Sequence, residues 1–286
     1  MSPTAQLHQS RSQQATSAPE TLHAVDREFV RSLTSSQTGQ HAHVRYLMAR
    51  ADADTGFYAA RLNRKQHAVL VSLGGEWALS VTGNIANPPH LARDVASLIP
   101  QNSMLTAPAH LAQGVTTCWN RMTGRAAKLL AEDIHYVQEK NMLAPVSVQI
   151  EPLLVFAHTL PRKQVAKEMS FCWLNVHHHF MQVEQFEQFL ETCDAVLWRE
   201  PGKPLDSFKL FTPLGNTHDK GGDHILLGNS CGLPEHMPHL FAKLAALPAR
   251  LSAFVSSNNE AQLQLMETAG FRPLRGPSRL ATYHLT

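Results

Sequence analysis

The residues best suited to meet a ligand lie in Leu227-Gly-Asn-Ser-Cys-Gly-Leu-Pro234. Gly228 and Gly232 give two flexible points around Asn229, Ser230 and Cys231, and Pro234 suits the first position of a following helix. A close main-chain approach beside the positive end of a helix is what a bound anion needs. Just upstream, Asp223 and His224 open an apolar run. A histidine there can exchange a proton near neutral pH, and it reads equally well as a residue on a strand face. Downstream, Ser257 and Glu260 have the spacing of a capping box, with Asn259 between them.

Other chemistry-bearing residues form no recognisable constellation. Of seventeen histidines, His177-His178-His179 is the densest group. In an extended segment only His177 and His179 share a face, and zinc would need further ligands from a distant segment. No HExxH spacing occurs, so no metal is expected. Cys118, Cys172, Cys193 and Cys231 form no CxxC pair, which predicts free thiols in a reducing compartment. Glu132 and Asp133 are adjacent; on a helix they would point about 100° apart and could not face one another.

The elements that position these residues read as strands alternating with helices. Leu22, Val25, Phe29, Val30 and Leu33 predict a first helix. Ala68–Ser72 and Glu76–Val81, divided by Gly74-Gly75, predict a hairpin. Helices are expected over Leu91–Ile99, around Leu111, Val115 and Trp119, and from Ala126 to Val137, with Gly124 as a stop between the last two. In the second half, strands are expected at 146–150, 153–156, Phe171–Val176, Ala195–Trp198, Phe208–Phe211 and Asp223–Leu227. A helix carrying Phe186, Phe189, Leu190 and Cys193 falls among them. The closing stretch gives a helix through Met237, Leu240, Phe241 and Leu244, the strand Arg250–Ser256, a helix ending on Gly270-Phe271, and a last strand at Leu280–Leu285. The fold class predicted is α/β, a mixed sheet covered by helices.

The closing stretch resembles the C-terminal half of a GNAT N-acetyltransferase. In that family the helix after the fifth strand commonly reads Asn-x-x-Ala-x-x-Leu-Tyr-x-x-x-Gly-Phe. Here Asn259, Leu265 and Gly270-Phe271 match, while Gln262 replaces the Ala and Met266 the Tyr. The resemblance implies that acetyl-CoA or another acyl-CoA is bound and its acyl group passed to an amine on a small molecule or protein. It implies further that main chain from Gly228 through Asn229, Ser230 and Cys231 to Gly232 faces the pyrophosphate, with Asn259 touching the coenzyme arm. The family's Arg or Gln in that loop is absent. Its proton-donating Tyr is also absent, leaving Tyr283 or Cys231 as substitutes, and His224 or Asp223 takes the place of the base. These departures leave open a catalytically retired binding or regulatory protein.

The domain organisation expected is a disordered tail over 1–20, a diverged N-terminal α/β domain over 21–145 and a GNAT-like acyltransferase domain over 146–286. Asn141–Pro145 is the candidate junction. This tandem layout is similar to that of glycine N-acyltransferase-like proteins. With 43% apolar residues a sizeable core can form, and a net charge of +2 without a basic stripe argues against nucleic acid. No apolar run reaches the length of a membrane span. A Ser- and Gln-rich start without an apolar centre is not a secretory signal; it suits a cytoplasmic protein or an exported effector acting in a host cell.

Overall fold

A computed structural model describes residues 21–35, 41–82, 89–138, 149, 153–214, 223–274 and 278–286 of the chain. The 1–20 tail, the 141–145 junction and nearly all of the strand expected at 146–150 lie outside them. The first half runs β1 (His23–Ala24), α1 (Arg27–Ser35), α2 (Ala42–Ala49), β2 (Gly56–Asn63), β3 (Gln66–Leu73), β4 (Glu76–Val81), α3 (Pro89–Leu98), β5 (Ser103–Pro108), α4 (Ala109–Thr123) and β6 (Ala127–Gln138). The second runs β7 (Leu154–Phe156), α5 (Arg162–His177), α6 (Val183–Thr192), β8 (Asp194–Trp198), β9 (Ser207–Pro213), β10 (Asp223–Gly232), α7 (Met237–Ala245), β11 (Ala249–Ser256), α8 (Glu260–Thr268), β12 (Phe271–Pro273) and β13 (Arg279–Leu285).

From α1 to β6 and from α5 to β13 the elements follow one order. Two helices lead into three strands; a helix then crosses to a parallel neighbour, and another helix leads to the last strand. The crossovers are α3, joining parallel β4 and β5, and α7, joining parallel β10 and β11. Thirteen strands form one sheet in the order β1-β2-β3-β4-β5-β13-β6-β11-β10-β9-β8-β7, with β12 beside β6. The two terminal strands are therefore exchanged. β13 pairs with β5 of the first half, β6 pairs with β11 of the second, and the two pair with each other at the centre.

Alternation along the strands sends side chains to two helix layers. Leu70, Leu79 and Leu105 pack under α3 and α4 beside Leu111, Val115 and Trp119. Ile225, Leu227, Leu251 and Val255 pack under α7 and α8 on the same face. The opposite face carries α1 and α2 over Val69, Val71 and Ala78, and α5 and α6 over Leu197, Phe208 and Leu210. Local signals agree with this packing. Gly124 caps α4 at φ 70°, and the Trp119 indole donates to the Ile99 carbonyl at 3.2 Å. Gly74 and Gly75 both take positive φ in the β3–β4 turn, as a tight hairpin requires.

Three expectations are corrected. The helix expected over Ala126–Val137 is instead the strand β6: Ile134 and Tyr136 alternate into the core, and strands on both sides complete the backbone hydrogen bonds that a helix would have made internally. Glu132 and Asp133 therefore face opposite sides of the sheet. Phe171–Val176 is not a strand but part of α5, whose buried stripe is Val165, Ala166, Met169 and Cys172. The cap of α8 is Asn259, whose Oδ1 accepts from the Gln262 amide at 3.1 Å, rather than Ser257 in a capping box with Glu260. Removing β13 by ending the chain before Arg279 should expose the inner edges of both β5 and β6. The expected result is loss of the cooperative urea transition monitored by circular dichroism, where a merely peripheral strand would leave it in place.

Candidate functional site

β10 and β11 pair in parallel from Asp223/Ala249 to Leu227/Ala253, and the pairing ends there. Beyond that point β10 continues to Gly232 and β11 to Ser256 as separate strands. The cause is visible on the other edge of β10. A bulge between Leu227 and Ser230 takes Gly228 and Asn229 out of register, after which Ser230–Gly232 resumes pairing with β9. Bulges raise local twist and re-aim a strand. Lys209 on β9 stands behind it: its ammonium donates to the Gly228 carbonyl at 2.6 Å and lies over the Phe241 ring at 5.2 Å. Burial pushes the Lys209 pKa down to about 8.

The expected Gly228–Gly232 loop is thus the end of a strand, and its glycines serve packing on β9. Gly232 has φ 124°, and a Cβ there would come within 2.0 Å of the Ser207 Oγ. At Gly228 a Cβ would meet the Leu210 Cβ at 3.2 Å. The open space lies on either side of the strand.

Two cavities flank the parting strands. One, of about 690 Å³, is bounded by Ser230, Cys231 and Gly232, by Asn259 and Leu265, and across from them by Trp173 and His177 of α5. The other, of about 550 Å³, lies on the face of α2 and α6. Its walls include Tyr46 of α2 and Phe189 of α6; its floor runs from Glu76 and Met104 across Asp133 to Gly228. Asn229 and Gln262 border both cavities.

The second cavity contains a carboxylate placed for proton exchange. Asp133 lines it from β6, and burial raises its pKa. No hydrogen bond or ion pair engages its carboxylate among the described residues. Glu76, on the same floor, is held by Arg50 through contacts of 3.0 and 3.3 Å. The sequence reading overlooked Asp133 because a helix was expected there. Strand alternation through Asp133, His135 and Val137 opposite Ile134 and Tyr136 would have placed it on a sheet face.

His224 is in neither cavity. It is buried, its Nε2 bonded to the Ser252 Oγ at 2.8 Å, and burial lowers its pKa to about 4. As the expected base it is therefore misplaced and poorly basic. It belongs to a buried group with His41, His43 and His135, and each of the four has one ring nitrogen without a hydrogen-bond partner among the described residues. The His41 Nδ1 meets the Ser80 Oγ at 2.6 Å, and the His43 Nε2 donates to the Leu79 carbonyl at 2.7 Å. Phe254 packs between His43 and His135.

The other sequence candidates are dispersed. Met266 is fully buried under α8 and lines neither cavity. Tyr283 packs against the first-half core, while Cys231 walls the larger cavity with its sulfur 3.7 Å from that of Cys172. His177 ends α5, His178 turns left-handed at φ 56°, and His177 and His179 both rest on Trp173.

Comparison with known proteins places the fold. No protein-family model matches the sequence, and no curated protein matches it. Among solved structures, a Drosophila structural-genomics protein is similar over 93% of this chain and 99% of its own, with a TM-score of 0.56 and 12% identity. A structure described as a putative acetyltransferase of the GNAT family from Novosphingobium aromaticivorans covers 90% of this chain and 97% of its own, at 14% identity and TM-score 0.46. A tandem GNAT protein from the clavulanic acid biosynthesis pathway covers 93% and 97%, at 10% identity and TM-score 0.46. The chain shares the mixed α/β architecture of the Drosophila protein, and at that identity the likeness concerns the fold alone.

The histidine group predicts an acid response. Burial holds the folded-state pKa of His41 and His135 near 3 and of His43 and His224 near 4, below the usual 6.5. The unfolded chain therefore binds more protons than the folded one below pH 6.5. The histidine contribution to stability should be flat above that value and fall as pH drops toward 4, each histidine adding a slope approaching about 1.4 kcal/mol per pH unit. The melting temperature measured from pH 8 to 4 should show this decline, and His135→Leu should make it shallower.

Proposed function

We propose that the chain is an N-acyltransferase that moves an acyl group, acetyl in the simplest case, from coenzyme A to an amine. One observation carries the reading: β10 and β11 part beyond Leu227 and Ala253, with a cavity on each side and Asn229 and Gln262 between. Such a gap admits a donor arm from one side and an acceptor from the other. Ser230, Cys231 and Gly232, with Asn259, border the side assigned to the coenzyme. The nearby start of α7 offers a positive helix end to its diphosphate. Gly228 and Asn229 border the acceptor side, where the acyl carbonyl would emerge.

The reaction needs an uncharged amine held against the thioester. The amine nitrogen attacks the carbonyl carbon, the N–C bond forms and the C–S bond breaks. Asp133 takes the proton that leaves nitrogen, and the departing thiolate recovers a proton from Asp133 or solvent. A raised pKa suits a carboxylate to that task, because proton transfer is most effective when donor and acceptor strengths approach one another. In this reading the role first given to His224 passes to Asp133, and 146–286 supplies the donor side of the site. A catalytically retired binding protein is the alternative favoured by Met266, which buries a thioether where the family places a phenol.

Thermal shift with acetyl-CoA and a turnover assay separate the two. Ligand at a hundred times its dissociation constant adds about 2.7 kcal/mol to stability, a readily measured rise in melting temperature. Asp133→Asn should preserve that rise while lowering kcat by about 10²- to 10⁴-fold. No rise with acetyl-CoA or longer acyl-CoAs would sink the acyltransferase reading and leave only the retired one, as would a rise without turnover; turnover would sink the retired one.

A further inference from the structure

We infer that the acceptor is a primary amine on an aromatic or apolar body lacking a carboxylate, selected by a pocket that the first half of the chain helps to build. This rests on the acyltransferase reading above and goes beyond it by naming the acceptor's chemistry. The supporting feature is the construction of the smaller cavity. It lies between the helix pair α1–α2 and the pair α5–α6, over the strands exchanged at the sheet centre. Glu76, Ala78, Met104 and Thr106 come from β4 and β5, and Thr282 from β13 is bonded to Thr106 at 3.0 Å.

The charges facing this space have one sign. Asp133 points a carboxylate into it, while the Glu76 carboxylate is already neutralised by Arg50. His43, the histidine on the wall, is held uncharged by burial, with its Nε2 hydrogen committed to the Leu79 carbonyl. Neither Lys nor Arg lines the cavity among the described residues. An amine arriving here as its ammonium meets a negative charge and no competing cation among the described residues. A carboxylate on the same molecule would face Asp133 with no cation to offset it, and like-charge juxtaposition of this kind is strongly disfavoured.

The remaining walls suit a flat apolar body. Tyr46 on α2 and Phe189 on α6 line the cavity together with Phe254, Met104 and Leu280. A volume of about 550 Å³ is that of a pocket for a small organic molecule. Aromatic walls also favour a cation at close range. Free glycine, an amine with a carboxylate and no apolar body, would leave most of this surface uncovered.

The discriminating pair is 2-phenylethylamine and phenylalanine, which differ only in the carboxylate. With acetyl-CoA as donor and thiol release as readout, kcat/KM for the amine should exceed that for the amino acid by about 100-fold. Met104→Lys, which places a cation on the half-exposed rim without touching Asp133, should narrow that ratio at least tenfold. Acetyl-CoA thermal shift is measured alongside on both proteins. A donor shift with equal or faster turnover of phenylalanine or glycine would overturn the inference and leave the acyltransferase reading standing. So would a donor shift with turnover of neither class. Absence of any donor shift would overturn the acyltransferase reading itself, and the inference with it.

Discussion

Pairing between β6 and β13 at the middle of the sheet is the constraint on which the rest depends. Neither strand lies with the other strands of its own half. β6 supplies the neighbour that β11 needs, and β13 supplies the neighbour that β5 needs. Because the exchange is mutual, the two repeats form one continuous sheet, and the helix pairs α1–α2 and α5–α6 come to stand on the same face with a space between them. That space is the smaller cavity. Its acid, Asp133, belongs by sequence to the first half and by pairing to the second.

The second determinant is the bulge at Gly228–Asn229. A strand cannot stay in register with both neighbours once an extra residue enters one ladder. β10 keeps β9 and lets β11 go. The ammonium of Lys209 fixes the choice by gripping the Gly228 carbonyl, and the closeness of Gly232 to Ser207 draws the last turn of the strand toward β9. Burying an ammonium is costly unless it is hydrogen-bonded, and its lowered pKa records that cost. The buried histidines use a different solution to the same problem, remaining uncharged, so that α2, β6 and β10 meet without a charged contact among these four rings.

Much of the second half was legible because its signals are local. The stripe Met237, Leu240, Phe241 and Leu244 and the strand Arg250–Ser256 are short-range patterns, and the structure carries both where the sequence put them. The misreadings share a cause. In Ala126–Val137 the spacing of Leu129, Leu130, Ile134 and Val137 satisfies either period, and partners more than a hundred residues away decided for strand. Phe171–Val176 was read apart from Val165, Ala166 and Met169, which carry the helical stripe. Nothing in a single sequence shows that β6 and β13 trade places. The junctional cavity was therefore beyond reach, whereas Asp133 could have been placed on a sheet face by strand alternation, and Gly228 was singled out by residue type alone. His224 was placed in the right strand, but one sequence does not show which end of a strand opens to solvent.

The exchange of β6 and β13 also bears on how the polypeptide is made. A ribosome releases the first repeat with β5 lacking one neighbour and β6 lacking its partners, well before residues 279–285 have been synthesised. During that interval two strand edges with apolar faces stand open, the condition under which nascent chains associate wrongly. Completion of the sheet waits on contacts between residues far apart in the chain, which slows folding. The molecule is thus expected to complete its sheet only once β13 has emerged, and to lean on chaperones until then.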